Sequence, residues 1–402
     1  MRAMFNVAGA DGHFLPMVPL ARALQTAGDD VVFVVPTPYR EAVTERGFRS
    51  FAVEAPRTMT GSEDIAAVNK RRGVERLRYT VEGFLDLAVI NAERLVELAG
   101  DEQPDVLIRE TTGWGAWLAG ELLNVPVAMF DYTPMPAGLM AKVAGDLFQA
   151  ARARLGLPPE DTLASLDRWL TILGAPPGWF ASECFRPTTH LLQPPDDQSE
   201  GGSLPDWFAS LPDRATVYVT LGTVFNQTPG VFEMVLDAIE DLDANVIVTT
   251  GRTIDPASFG QLPDHVHVEQ FIPQGLLLQH CDAVIAHGGY GSLMGALRHG
   301  LPVVSIPLAA GDNHANATRL VQLGAGTAVP ETERSAEKIR AAAHAVLHEP
   351  SYRAAAERIA DGIAALPPFT DAVQLIQRLA SERRPVLRSE TTHRKGPQPS
   401  QS

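Results

Sequence analysis

Residues Cys281 to Asn316 read CDAVIAHGGYGSLMGALRHGLPVVSIPLAAGDNHAN, and the rest of the chain is interpreted outward from this run. Asp282 to Ala286 is a short apolar stretch that predicts a buried strand ending at His287. Gly288, Gly289 and Gly291 then permit a tight backbone and close approach to a ligand. Ser292 stands where a helix N-cap is expected, Leu293 to Leu297 keeps helical spacing, and Gly300 with Pro302 stops the helix before a strand at Val303 to Ile306. A strand, a glycine corner and a helix start make an anion site, because free N–H groups and the positive end of the helix dipole point at whatever binds. A diphosphate suits such a corner, and His287 and Ser292 can add side-chain donors. An ordinary βα turn tightened by glycines is the plainer alternative. After Pro307, Gly311, Asp312, Asn313, His314 and Asn316 gather at the carboxyl end of a predicted parallel strand, the edge where open α/β sheets bind ligands. Such groups suit sugar hydroxyls.

The succession HGGYGS, GALRHGLPVV and GDNHANA resembles the nucleotide-sugar signature of GT-B-fold glycosyltransferases, in particular the bacterial antibiotic glycosyltransferases of macrolide and enediyne type. The resemblance implies an α/β fold of two Rossmann-like domains whose parallel sheets face a central cleft. It implies that His287, Gly288, Gly289, Gly291 and Ser292 hold a diphosphate, while Asp312 and Asn313 read the donor sugar. Asn313 stands where the family usually has Gln.

A chain of 402 residues, 45% hydrophobic, exceeds the size at which one core keeps growing, so two domains are expected. No apolar run approaches the ~20 residues needed to span a bilayer, and MRAMFNVAGAD enters a strand pattern at once, without a signal peptide's apolar region. No membrane association and a cytoplasmic location are therefore expected. Cys184 and Cys281 lack metal-ligand spacing and read as reduced thiols; no carboxylate pair has obvious metal spacing either, so no metal is expected. A net charge of −15 argues against nucleic acid as a partner. The sequence leaves the oligomeric state open, a homodimer included.

At the N-terminal end, Arg2 to Ala8 reads as a strand, Gly9 to His13 as a loop, Pro16 to about Ala27 as a helix before Gly28, and Val31 to Val35 as the next strand. This β-loop-α-β unit opens a Rossmann-like domain. The loop lacks G-x-G-x-x-G, and Asp11 would repel a pyrophosphate, which disfavours a dinucleotide. His13 follows the carboxyl end of the first strand and is directed toward the cleft; a loop histidine in solvent is the bland alternative. Gly9, Gly12, His13, Pro16, Pro19 and Leu20 fill a second signature of the same family, GxxGHxxPxxPLAxxL, in which the His is the general base. An imidazole suits that task because its pKa lies near working pH. Glu110, ending the strand that starts at Pro104, falls where the family commonly places an Asp that orients this His. A solvated strand-end carboxylate is the alternative there.

Pro38 to Arg46, Val74 to Leu98 and Trp114 to Leu123 read as helices, and Phe48 to Val53 and Val127 to Phe130 as strands, an alternation that predicts a covered parallel sheet. Thr58 to Arg72 has no period and reads as a mobile loop over the acceptor side. Trp114, Phe130, Tyr132 and Met135 are candidates to line an apolar acceptor pocket, with core packing as the alternative. Ala141 to Leu173 reads as helical with a Leu157-Pro158-Pro159 break, and Thr189 to Leu192 as a short strand. PPDDQSEGGSLPD after Gln193 is the strongest linker signal. The predicted organisation is an acceptor-binding domain over 1–193, a linker over 194–212, a nucleotide-sugar domain over 213–366, a crossing helix over 367–382 and a disordered tail over 383–402.

In the second domain, Ala215 to Leu221 reads as a strand ending in Gly222 and Thr223, whose N–H and hydroxyl can reach a phosphate and which resemble the family's LGT turn. The turn Phe271-Ile272-Pro273-Gln274 resembles a turn that packs against the nucleotide base, making Ile272 and Gln274 base-side candidates. Phe271 replaces a common Trp, which favours a thymidine over a uridine diphosphate sugar. Taken together, the resemblance implies an inverting, metal-independent glycosyltransferase without a cofactor, moving a (deoxy)sugar from dTDP to a natural-product acceptor such as a polyketide aglycone. A nucleotide-sugar epimerase on the same architecture and a non-catalytic auxiliary binding protein remain open, since fold analogy does not separate them.

Overall fold

The computed structural model of the chain describes residues 1–9, 11–54, 64, 67–68, 70–196, 202–222, 228, 230–251, 254–308 and 312–388. Among these, every strand belongs to one of two wholly parallel sheets. The first comprises β1 (Arg2–Asn6), β2 (Asp30–Pro36), β3 (Arg49–Val53), β4 (Val106–Glu110), β5 (Val127–Asp131), β6 (Leu170–Gly174) and β7 (Thr189–Leu192), ordered β3-β2-β1-β4-β5-β6-β7. The second comprises β8 (Thr216–Thr220), β9 (Asn245–Thr249), β10 (Val266–Glu269), β11 (Ala283–Ala286), β12 (Val303–Ser305) and β13 (Gly326–Ala328), ordered β10-β9-β8-β11-β12-β13. The strands are short apolar runs because helices cover both faces: β4, β5, β6, β8 and β9 are buried at every residue. This is the two-domain GT-B architecture.

The strand order positions the chemistry. In the first sheet the winding reverses between β1 and β4, and in the second between β8 and β11. At such a switch point the outgoing loops diverge and leave a crevice at the carboxyl ends of the strands. His13 follows β1 and Glu110 ends β4, so both lie at the first crevice. Gly222 follows β8 and His287 follows β11, so both lie at the second.

Four segments differ from the sequence reading or add to it. Strand β6 lies inside the stretch read as helical to Leu173, whose helix spans Ala137–Arg154 only. Five apolar residues fit either state locally, and pairing with β5 and β7 decides for strand. The polar cluster after Pro307, which the sequence places only at a strand's carboxyl end, continues from Asp312 as a helix, Asp312–Gln322. Within the expected linker, Asp206–Ser210 forms a 3-10 turn in which Trp207 stacks on His267 at 4.2 Å and donates to Glu269 at 2.9 Å. Finally, 383–388 is anchored, contrary to the expectation of disorder. Val386 is 1% exposed, its N–H donates to the Trp169 carbonyl at 2.9 Å, and its own carbonyl accepts from His190 at 3.0 Å. Val386, with both backbone groups paired, and Arg388, whose N–H donates to the Pro187 carbonyl at 2.8 Å, hold this segment.

The helix Asp371–Glu382 crosses back onto the first domain, where Phe369 meets Phe130 edge-on at 5.3 Å and Gln377 donates to Asp29 at 2.9 Å. Among the described residues no helix is long and apolar enough to cross a membrane. Most of Thr58 to Arg72, including 58–63, lies outside the described residues.

Candidate active site

His13 occupies a short helical turn, Asp11–Phe14, rather than an open loop. Its Nδ1 lies 3.2 Å from Glu110 Oε2, 3.2 Å from Thr112 Oγ1 and 3.1 Å from the Tyr132 hydroxyl. Glu110 is fully buried yet accepts from four donors: the N–H of Ala8 at 3.3 Å, the N–H of Thr112 at 2.6 Å, the Thr112 hydroxyl at 2.8 Å and the Tyr132 hydroxyl at 3.2 Å. Burial alone would raise its pKa, but His13 and the Thr112 donors outweigh it and hold the carboxylate below its usual range. For His13 burial pulls the pKa down, while Glu110 and, more weakly, Asp312 pull harder and raise it above 6.5. Asp312 is itself raised, chiefly by burial, with His13 opposing. The imidazole of one half and the carboxylate of the other therefore sense each other across the cleft.

On the facing side, the His287 ring fills the space between two glycines. A Cβ on Gly222 would stand 2.6 Å from its Cε1, and one on Gly289 would stand 2.3 Å from its Nε2. Gly288 has φ +86, and a Cβ there would meet the Asn313 carbonyl at 2.8 Å. The corner thus needs glycine for internal packing, whereas Gly291 has nothing within 4 Å and leaves its face open to a guest. Gly289 is the N-cap of the helix Tyr290–Arg298, so Ser292 is the third helical residue and not the cap expected for it. The N–H groups of this first turn have no partner within the helix and point outward. Burial, slightly offset by the Thr220 backbone, pushes the His287 pKa down to about 4, so its ring is neutral at pH 7.

The buried atoms Asn313 Nδ2 and Ser305 Oγ lack hydrogen-bond partners among the described residues. Buried polar atoms are ordinarily satisfied, so a pair of orphans at one corner marks a place built for a polar ligand. Asn316 ties the helix Asp312–Gln322 to this corner, donating to the Gly288 carbonyl at 3.1 Å and accepting from Trp179 at 3.4 Å. Gln274 donates to the Gly291 carbonyl at 3.4 Å, which brings the Phe271 to Gln274 turn beside the same helix start. Tyr290 bridges the halves, its hydroxyl donating to Gly174 at 2.5 Å and its ring lying 5.4 Å from that of Tyr132.

Several side chains are placed otherwise than expected. Ile272 is 2% exposed and faces the core; its neighbour Phe271, 58% exposed, is the side chain of that turn open to a base. Phe130 is fully buried within β5, and Trp114, 3% exposed, packs on Phe148 at 4.8 Å, so neither lines a pocket. Their apolar bulk is consumed by the core beneath the sheet. Tyr132 turns its hydroxyl to Glu110 instead of an acceptor, and Met135 stays half-buried. Phe84, which the sequence reading passed over, lies 5.7 Å from His13 and 6.5 Å from Trp114; its place on the apolar face of Gly73–Glu102 with Val81 and Leu85 was the available clue. Thr223 lies outside the described residues.

Two parallel-sheet domains, a half-buried His13 paired with a buried Glu110 and a facing glycine corner are the arrangement of a GT-B glycosyltransferase. Residues 233–379 match the family described as erythromycin biosynthesis protein CIII-like, C-terminal domain. The chain is 30% identical to 4'-demethylrebeccamycin synthase of Lentzea aerocolonigenes, across 94% of this chain and 99% of that protein. It is 30% identical to L-demethylnoviosyl transferase of Streptomyces niveus, across 96% and 99%. Among solved structures, the glycosyltransferase VinC in complex with DTDP superposes with a TM-score of 0.77 at 24% identity, covering 95% of this chain and 100% of that one. The chain belongs to the family of antibiotic glycosyltransferases.

Proposed function

We propose that the enzyme transfers a sugar from thymidine diphosphate to a hydroxyl of a small natural-product acceptor, with inversion and without a metal ion. His13 Nε2 takes the acceptor proton as its oxygen attacks the anomeric carbon from the face opposite the diphosphate. The bond from that carbon to the diphosphate oxygen breaks, and the nucleotide leaves with the electron pair. Glu110 stabilises the imidazolium that forms. The leaving charge meets the N–H groups at the start of Tyr290–Arg298, with the His287 ring packed beside them; one preorganised donor of this kind is worth roughly 3 kcal/mol. Asp312 and Asn313, set at the head of their helix beside the corner, address the sugar hydroxyls.

The observation that carries this reading is the pairing of His13 with a buried, ionised Glu110 at one switch point, with Asp312 of the other half acting on the same imidazole. Likeness to a protein crystallised with DTDP, and Phe271 at the exposed turn, support thymidine. The test is a panel of dTDP- and UDP-sugars offered with an alcohol-bearing polyketide, with product anomers read by NMR and chelator added in parallel. Inverted product from dTDP donors, insensitive to chelator and lost in His13→Ala, is expected. Retained configuration, rescue by magnesium after chelation, or undiminished transfer by His13→Ala would overturn it, and donor turnover without an acceptor would favour the epimerase.

A further inference from the structure

Three oxygen atoms surround His13 Nδ1, and the hydrogens they own can be traced. Glu110, held ionised, has none to give. The Thr112 hydroxyl gives its single hydrogen to Glu110 Oε1 at 2.8 Å, and the Tyr132 hydroxyl, 3.2 Å from Oε2 and 3.1 Å from Nδ1, has one hydrogen for which the charged carboxylate is the stronger acceptor. An ionised Glu110 oxygen 3.2 Å from Nδ1 can only accept, and a bare Nδ1 would set lone pair against lone pair, so the neutral imidazole favours its proton on Nδ1 and presents a lone pair at Nε2. The Tyr132 phenol does not ionise to escape this: burial, then Glu110, Asp312 and Asp131, keep its pKa well above 10. Nor can its ring swing away easily. It is 6% exposed and wedged between Phe130 at 6.0 Å and Tyr290 at 5.4 Å.

We propose that Tyr132 and Thr112 are positioning residues for the transfer, their hydroxyls orienting Glu110 and thereby locking His13 in its Nδ1–H form. This rests on His13 being the base. The charged and titratable groups facing the imidazole are Glu110 from β4, Tyr132 from the segment after β5 and Asp312 from the second half. A ring left to exchange tautomers or rotate would offer Nε2 for only part of the time, lowering turnover without weakening substrate binding.

The experiment uses full-length enzyme with ¹⁵N-labelled histidine, His13 being assigned from the His13→Gln spectrum. Above the titration midpoint the wild-type ring is expected as a single Nδ1–H tautomer; a dominant Nε2–H form overturns the proposal. With dTDP-glucose and an alcohol-bearing macrolactone as probes, Tyr132→Phe is expected to lower kcat about tenfold, keep both KM values within about twofold, and make the Nδ1 proton exchange faster with water. If instead the acceptor KM rises while kcat and the imidazole spectrum hold, Tyr132 is an acceptor wall and the proposal fails. Should Tyr132→Phe not fold, Thr112→Val is read by the same criteria. Undiminished transfer by His13→Ala would remove the base assignment, while the imidazole spectra would still decide on the lock.

Discussion

The ring of His287 and the backbone of Gly289 are in such close contact that a Cβ on Gly289 would lie 2.3 Å from Nε2. The corner is a packed unit in which the imidazole sets the path of the chain. Gly289→Ala is expected to displace His287, cost roughly 1–3 kcal/mol in urea denaturation and weaken dTDP binding by calorimetry at least tenfold. Gly291→Ala, with open space at its position, is expected to fold as stably as the parent and act only on binding. Equal stability losses at the two positions would refute the distinction.

The base pair predicts a pH profile. His13 acts as a base only when neutral and its pKa is raised, so kcat/KM should fall on acidification through a midpoint above 6.5. Glu110→Gln removes the main raising charge and should shift this midpoint to lower pH while reducing kcat. For stability the signs are opposite in the two partners. The raised His13 stabilises below 6.5 and loses this as pH rises through its folded value; the depressed Glu110 stabilises above 4.5 and loses this as pH falls. The pair therefore contributes most between these limits, and a Glu110→Gln penalty equally large at pH 9 would count against it.

Asp131 is 5% exposed, and burial pushes its pKa from 3.8 to about 6. Ionising it inside the fold costs roughly 3 kcal/mol at neutral pH, and the penalty fades as pH falls from 6 toward 3.8, where the native carboxyl keeps its proton. Asp131→Asn retains an oxygen for the Thr111 hydroxyl and Thr133 N–H. It should be more stable than the parent at pH 8 and no different near pH 4, as measured by chemical denaturation.

The turn before Gln274 separates two neighbours by burial. Ile272→Ala should cost roughly 2–5 kcal/mol of stability with little effect on dTDP affinity beyond that of partial unfolding. Phe271→Ala should leave stability within about 0.5 kcal/mol and weaken dTDP binding about tenfold if the exposed ring stacks on the base. Titration calorimetry on both variants checks the split.

The sequence made most strands of both sheets and both crevices legible, because strands buried on two faces leave short apolar runs and because glycine corners are written locally; Gly326–Ala328, three residues long, left no such run. His13 and Glu110 stand 97 positions apart, yet each ends or follows a readable strand. What escaped depended on distant partners. Strand β6 is settled by pairing with β5 and β7, and Val386 by a site on the first sheet. Tyr132 looked like any aromatic available to an apolar pocket; only its approach to Glu110 distinguishes it. Ile272 and Phe271 are adjacent and similarly apolar, so which of them faces inward is a matter of packing that no local pattern encodes.

The return of the last helix means that order along the chain is not order in space. Phe369, Gln377 and Val386 follow the whole second sheet in sequence but complete the first domain. A hybrid enzyme made by joining this chain's front half to a relative's rear half at one junction would give the front sheet a foreign brace. Exchanging sugar preference between relatives therefore calls for two junctions, one within 194–212 and one near Pro367, with the native C-terminal segment kept beside its own partners.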